Sequence, residues 1–199
     1  MTSGVALFVI DIQNYLAADA ATQIPHADRI RATGTKILLT ARGIVDRNCT
    51  QSPFRIVFVQ HEQLPGDGPL IKGTQPWKLV FEPREGVREE TLVAKSTRDA
   101  FESNPDFASQ LKSMDITDII AFGIQSECCV ESTCGGALAA GFGVTVLGGA
   151  HSTYDDGGMS AVDIEREVEG RLAEKGARVV PWEEAVGLWE RMERLDFWT

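Results

Sequence analysis

The chain has 199 residues, 43% of them apolar, enough to build one domain, spanning residues 1–199, around a continuous core. A net charge of -10 excludes binding to a phosphate backbone as the main task, since nucleic-acid partners reward clustered Lys and Arg. No apolar run approaches a membrane span and no charged leader head precedes Val5, so the expectation is a cytoplasmic protein with neither nucleic-acid nor membrane partners.

Val5 to Ile10 is an unbroken apolar run closed by Asp11, the pattern of a strand buried on both faces. From Ala27 to Arg47, Ile30, Ile37, Leu38, Ala41, Ile44 and Val45 recur at helical spacing. The Ser52-Pro53 breaker leads into a second strand, Arg55 to Gln60. Residues 62–90, rich in Gly, Pro and charge, read as a long excursion with functional potential. Thr91 to Ala94 is a short third strand that delivers Lys95, and Asn104-Pro105 offers an N-cap and first-turn proline for a helix ending near Ser113.

Asp118 to Phe122 supplies the fourth strand, followed by a helix from about Cys129 to Ala140 that stops at Gly141. Val144 to Leu147 is the fifth strand. Ser160 and Asp163 form a capping-box pattern for a helix ending near Gly176; Ala177 to Val180 is a sixth strand and Trp182 to Arg194 a last helix. Six strands alternating with helices predict an α/β fold, a three-layer α/β/α arrangement around a six-stranded parallel sheet.

In such sheets the binding crevice lies beyond the carboxyl ends of the strands. Asp11 ends the first strand, Lys95 ends the third and Cys129 follows the fourth, so an acid, a cation and a thiol are predicted to converge there. At the start of a helix, Cys129 is expected to be favoured as a thiolate by the first N–H groups and the dipole. Taken singly, Asp11 reads equally as a turn residue, Lys95 as a solvated charge and Cys129 as a small buried hydrophobe. Only their joint placement points to an active site.

The four cysteines, at 49, 128, 129 and 134, lack zinc-knuckle spacing and are expected to be free thiols, with Cys49, Cys128 and Cys134 in packing roles or, for Cys128 and Cys134, a protective redox role.

The same residues carry a family resemblance. Val9-Ile-Asp-Ile-Gln13, Lys95 with Asp99-Ala-Phe101, Gly123-Ile-Gln-Ser-Glu127 with Cys129-Val-Glu-Ser-Thr133, and His151-Ser-Thr-Tyr-Asp155 resemble the isochorismatase-like cysteine hydrolases. That superfamily includes nicotinamidases and N-carbamoylsarcosine amidohydrolases. The resemblance covers nearly the whole chain and implies a Rossmann-like isochorismatase fold. It also implies a catalytic triad of Asp11, Lys95 and Cys129, a cis peptide between Ile124 and Gln125, and an oxyanion hole from the backbone N–H groups of Gln125 and Cys129. Cys128 is the competing nucleophile; the family pattern, six residues after the strand-ending glycine and just before Val, selects Cys129. The implied activity is thioester-forming hydrolysis of a carbon–nitrogen bond in a small amide.

Nicotinamidases bind a divalent metal through an Asp-x-His and further histidines, whereas the matching stretch here is Val59-Gln60-His61 and the other histidines are His26 and His151. No metal and no cofactor are expected, and a nicotinamidase is disfavoured. Many relatives have an Asp before the Ala-His-Ser-Thr segment; this chain has Gly148-Gly149-Ala150. Gln13, Trp77, Phe101 and His151 are candidate substrate contacts, and His61 and His151 candidate pocket walls. A dinucleotide fingerprint and a Gly-x-Ser-x-Gly elbow are both absent. The rival functions are a vinyl-ether hydrolase using Asp11 as acid, and a non-catalytic scaffold or thiol redox sensor. The expected partners are a small-molecule substrate and further copies in a homodimer or homotetramer, for which Leu188, Trp189, Phe197 and Trp198 supply apolar surface unless they fold back on their own domain.

Overall fold

Gly4–Ile10, a run without a polar side chain, forms β1 and is buried along its full length. The reason is its central place. The computed structural model describes residues 4–47 and 54–192. Its other strands are β2 (Phe54–His61), β3 (Glu90–Lys95), β4 (Ile116–Ile124), β5 (Gly143–Ser152) and β6 (Arg178–Pro181). They pair in parallel in the order β3-β2-β1-β4-β5-β6. The helices are α1 (Asn14–Ala17), α2 (Ala27–Arg47), α3 (Ala100–Ser103), α4 (Phe107–Ser113), α5 (Glu131–Ala139), α6 (Ala161–Glu174) and α7 (Trp182–Met192). Strand alternation divides the core between the two faces of the sheet. Val5, Leu7 and Val9 pack with Ile30 and Ile37 of α2 and Trp189 of α7, while Ala6, Phe8 and Ile10 pack with Phe107 of α4 and Val168 of α6.

The chain leaves β1 towards β2 and β3, then returns to place β4 on the other side of β1. That reversal opens a crevice at the carboxyl ends of β1 and β4. Gly123 makes the approach of these strands possible: its φ is 145°, and a Cβ there would stand 2.1 Å from the Ile10 carbonyl oxygen.

The expected strand order of appearance and the long second helix match the structure, and four local expectations do not. Asn104 does not cap the helix after β3. Its amide donates to the carbonyls of Ala94 and Ala100, tying α3 to the sheet, and α4 begins later at Phe107. The helix expected from Cys129 opens instead as a π-helical turn over Ser126–Val130, and α5 continues from Glu131. β5 does not stop at Leu147. It runs to Ser152 because Gly148 and Gly149 lie within a bulge, where Ala121 pairs Val146 but Gly123 pairs His151. A short α1 follows Gln13, where no helical pattern was expected.

The excursion after β2 is lashed to the end of β1: Val80 N–H donates to the Ile12 carbonyl and Asn14 N–H to that of Lys78, both at 2.8 Å. Trp189 is fully buried in its own core, as the fold-back alternative requires, and Leu188 is half-buried. Cys49, Phe197 and Trp198 lie outside the described residues. No helix among the described residues is long and apolar enough to cross a membrane.

Candidate active site

Asp11 takes the first position beyond β1 with φ 49°, a left-handed conformation that Asp tolerates better than most residues. Its N–H donates to the Val59 carbonyl at 3.0 Å and its carbonyl accepts from Gln13 N–H at 2.9 Å, so the turn is fixed on both sides. Its side chain is 1% exposed. Lys95 ends β3, two strands away, and its length lets the ammonium cross the end of β2. Lys95 Nζ lies 2.7 Å from Asp11 Oδ2. It also lies 3.1 Å from each of Cys129 Sγ, His61 Nδ1 and the Thr97 carbonyl. The three residues drawn from separate strand ends therefore meet at one ammonium.

Burial and charge act on these groups in opposite directions. Burial alone pulls the Lys95 ammonium down, but the charge of Asp11 and then the sulfur of Cys129 outweigh it and raise its pKa above the ordinary lysine value. Burial raises the Cys129 thiol far above its ordinary value, Asp11 adds to this, and Lys95 only partly opposes it. Burial and Asp11 thus oppose the thiolate that the helix start is expected to favour. Burial and then Lys95 lower His61, leaving a neutral imidazole; the ammonium has only hydrogens to offer, so His61 Nδ1 accepts.

Donor atoms of Asp11, His61 and Cys129 lie within 4.8 Å of one another, a set with the chemistry of metal ligands. Each of them already stands within 3.1 Å of the Lys95 ammonium, so a cation is built into the space a divalent ion would need. The donor set does not fit a metal.

A cavity of about 290 Å³ opens onto Asp11 and Cys129. Its walls include Tyr15, Leu16, His61, Gln63, Leu70, Arg98, Gln125, Cys128 and Tyr154. Of the expected pocket histidines, His61 is present and His151 is not. None of the four candidate substrate contacts lines this cavity; each is placed elsewhere in the protein. The Gln13 amide donates to the carbonyls of His61 (2.9 Å) and Trp77 (2.7 Å) and accepts from His61 N–H (3.2 Å), riveting β2 to the excursion. Trp77 is half-buried in that excursion. Phe101 stacks among Phe8, Phe107 and Phe142. His151 is sealed between β5 and α6.

Sequence reasoning missed Tyr15, Leu70, Arg98 and Tyr154. Tyr154 stands inside the His151-Asp155 motif and Arg98 three residues past Lys95, whereas Leu70 carries no local signal.

Cys128 shares the cavity wall, but its thiol neighbours Glu127 rather than Lys95, and burial and Glu127 raise its pKa. Cys134 is fully buried, and burial pushes its thiol up to about 12. Both are free, as is Cys129. The Ile124–Gln125 peptide is cis, as the resemblance implied. The Gln125 carbonyl accepts from the N–H groups of Cys128 (3.2 Å) and Val130 (3.1 Å), the residues flanking Cys129.

Residues 5–184 match the isochorismatase domain family. A streptothricin hydrolase of Streptomyces noursei is 30% identical over 174 residues, which is 86% of this chain and 57% of that protein; the chain thus spans little more than half of this relative. The fold is shared with an isochorismatase-like hydrolase from Alkaliphilus metalliredigens, at TM-score 0.77 and 21% identity, covering 94% of this chain and 99% of that one. A cysteine hydrolase from Pseudomonas syringae pv. phaseolicola 1448A has the same TM-score at 20% identity, covering 94% and 92%.

Proposed function

The chain belongs to the isochorismatase family, and on that premise we propose that it is a cysteine hydrolase cleaving the carbon–nitrogen bond of a small amide. The observation that carries this reading is the single ammonium of Lys95, 2.7 Å from Asp11 Oδ2 and 3.1 Å from Cys129 Sγ. It couples a proton acceptor to a thiol.

In this reading the Asp11 carboxylate takes the Cys129 proton as the sulfur attacks the substrate carbonyl carbon. Lys95 pairs with Asp11 and offsets the charge that moves onto sulfur. The carbonyl π pair becomes an oxyanion held by the backbone N–H groups of Gln125 and Cys129, each such donor contributing about 3–4 kcal/mol to the barrier. Collapse breaks the C–N bond, and the departing nitrogen receives the proton from Asp11. The thioester left behind is attacked by a water whose proton passes to Asp11. The second collapse expels the sulfur, which recovers that proton, and releases a carboxylic acid. No step needs a metal.

The test is a screen of primary amides, ureides, lactams and streptothricin, followed by release of ammonia or amine, with the wild type and Cys129→Ala. The last substrate is included because a relative is named for its hydrolysis. Turnover by the wild type that falls at least about a thousandfold in the variant supports the reading. Full activity in Cys129→Ala ends it, and vinyl-ether cleavage surviving in that variant assigns the chemistry to Asp11 as acid.

A further inference from the structure

Ser126 opens the turn that carries Cys129, and its hydroxyl lies 2.8 Å from His151 Nδ1. On the far side of the ring, His151 Nε2 lies 3.2 Å from Glu169 Oε1 of α6. Hydroxyl, imidazole and carboxylate are the parts of a serine-hydrolase triad. Yet Ser126 and His151 are both 0% exposed and neither lines the cavity, so no carbonyl substrate reaches that oxygen. This buried set is unused by the chemistry above.

We propose that Ser126, His151 and Glu169 form a positioning chain that fixes the nucleophile turn, and with it Cys129; the role rests on Cys129 being the nucleophile. One hydrogen bond and one close contact build the chain: Ser126 Oγ and His151 Nδ1 share a hydrogen bond at 2.8 Å, and Glu169 Oε1 stands 3.2 Å from Nε2 without the alignment of a hydrogen bond, a stop against the far edge of the ring. A serine paired with the ring is drawn away from the carbonyls of its own turn, the usual route by which serine distorts a helix start.

Two further contacts share the task. Thr153 Oγ1 donates to Glu127 Oε1 at 2.8 Å, so the first two residues of the turn are each tied to the end of β5 or just beyond it. Gly148 has no side chain where a Cβ would stand 3.2 Å from Glu169 Oε1, which leaves the carboxylate its place beside the ring. The bare Gly148 of the β5 bulge thus admits a carboxylate from α6.

The experiment uses Glu169→Ala, Glu169→Gln and Ser126→Ala in the full chain. Its readouts are the rate of Cys129 alkylation by iodoacetamide, read by peptide mass separately from Cys128, the melting temperature, and kcat and KM on whichever amide the wild type turns over. Displacing a reacting atom by a fraction of an ångström costs about ten- to a hundredfold. Glu169→Ala and Ser126→Ala are expected to lose about that much in Cys129 alkylation and kcat, with KM within about twofold. Glu169→Gln keeps the shape that stops the ring and recovers most of the loss, which a purely electrostatic role for the carboxylate would not allow.

Wild-type alkylation and kcat in Glu169→Ala, or no recovery in Glu169→Gln, overturns the proposal. So does a loss that appears only as a lower melting temperature. Because alkylation is read on the sulfur itself, this failure is distinct from full activity in Cys129→Ala, which removes the nucleophile assignment.

Discussion

Lys95 Nζ and Asp11 Oδ2 are 2.7 Å apart with side chains 0% and 1% exposed, a charge pair buried where β2 separates the two strands that supply it. Removing one partner leaves the other charge uncompensated. Lys95→Met is therefore expected to cost about 3–5 kcal/mol in urea unfolding. The double variant Lys95→Met/Asp11→Asn should recover much of that stability while remaining inactive. A double variant no more stable than Lys95→Met alone would show that the pair is not coupled.

The raised Cys129 thiol gives a second expectation, with opposite signs for reactivity and turnover. Asp11 is the largest cause after burial, and its negative charge opposes thiolate formation. Asp11→Asn removes that charge and leaves Lys95 beside the sulfur. The pH–rate profile for iodoacetamide alkylation of Cys129 should shift to lower pH and the rate near neutrality should rise. Turnover should collapse, because the proton acceptor is gone. An unchanged profile would mean that Asp11 does not govern the thiol.

The parts of this arrangement legible in the chain were those written in continuous patterns. β1 is an unbroken apolar run, and α2 repeats Ile30, Ile37, Leu38, Ala41, Ile44 and Val45 along one face, so both were placed closely by period alone. The meeting of Asp11, Lys95 and Cys129 followed from their places at strand ends. Most of the cavity wall beyond His61 was not legible, because Tyr15 and Leu70 reach it through contacts made within and across the excursion, Tyr15 with Pro76 and Leu70 with Gln63. Gln13 and His151 are polar residues in motif positions, which resembles substrate contact in sequence. Only the coordinates reveal that carbonyls hold the Gln13 amide and that Ser126 and Glu169 enclose His151. The glycines at 148 and 149 read as a strand end because a bulge and a stop use the same residue.

Gly123 offers a backbone test of the crevice. Its positive φ and the 2.1 Å approach of a would-be Cβ to the Ile10 carbonyl leave no room for a side chain, and the obstacle is backbone rather than a side chain able to swing away. Gly123→Ala must part β1 from β4 at the point from which Asp11 and the nucleophile turn depart. The expected result is a protein several degrees less stable that has lost Cys129-dependent activity, checked by calorimetry alongside the amide screen. Gly43→Ala, on α2 with its nearest contact the tip of Arg47 at 3.4 Å, is the control expected to keep its fold.

Glu90 supplies a prediction about acid stability away from the site. Its side chain is 0% exposed at the start of β3 and is gripped by Arg42 (2.8 Å) and Arg84 (2.6 Å), with Arg84 N–H also donating to it at 2.8 Å. Burial raises its pKa, but Arg42 and Arg84 together outweigh burial and leave it below the ordinary glutamate value. A carboxylate lowered in the folded state contributes stability that is fully present above its unfolded pKa of 4.5 and is lost as pH falls through the lower folded value. Glu90→Gln should therefore destabilise the protein near neutrality, by about 3 kcal/mol for a broken buried pair. The difference from wild type should shrink as both are titrated from above 4.5 into stronger acid, because the wild-type carboxyl becomes neutral there as well. Urea midpoints measured at neutral pH and across that acid range test the sign, and a difference that grows on acidification would contradict the arginine clamp.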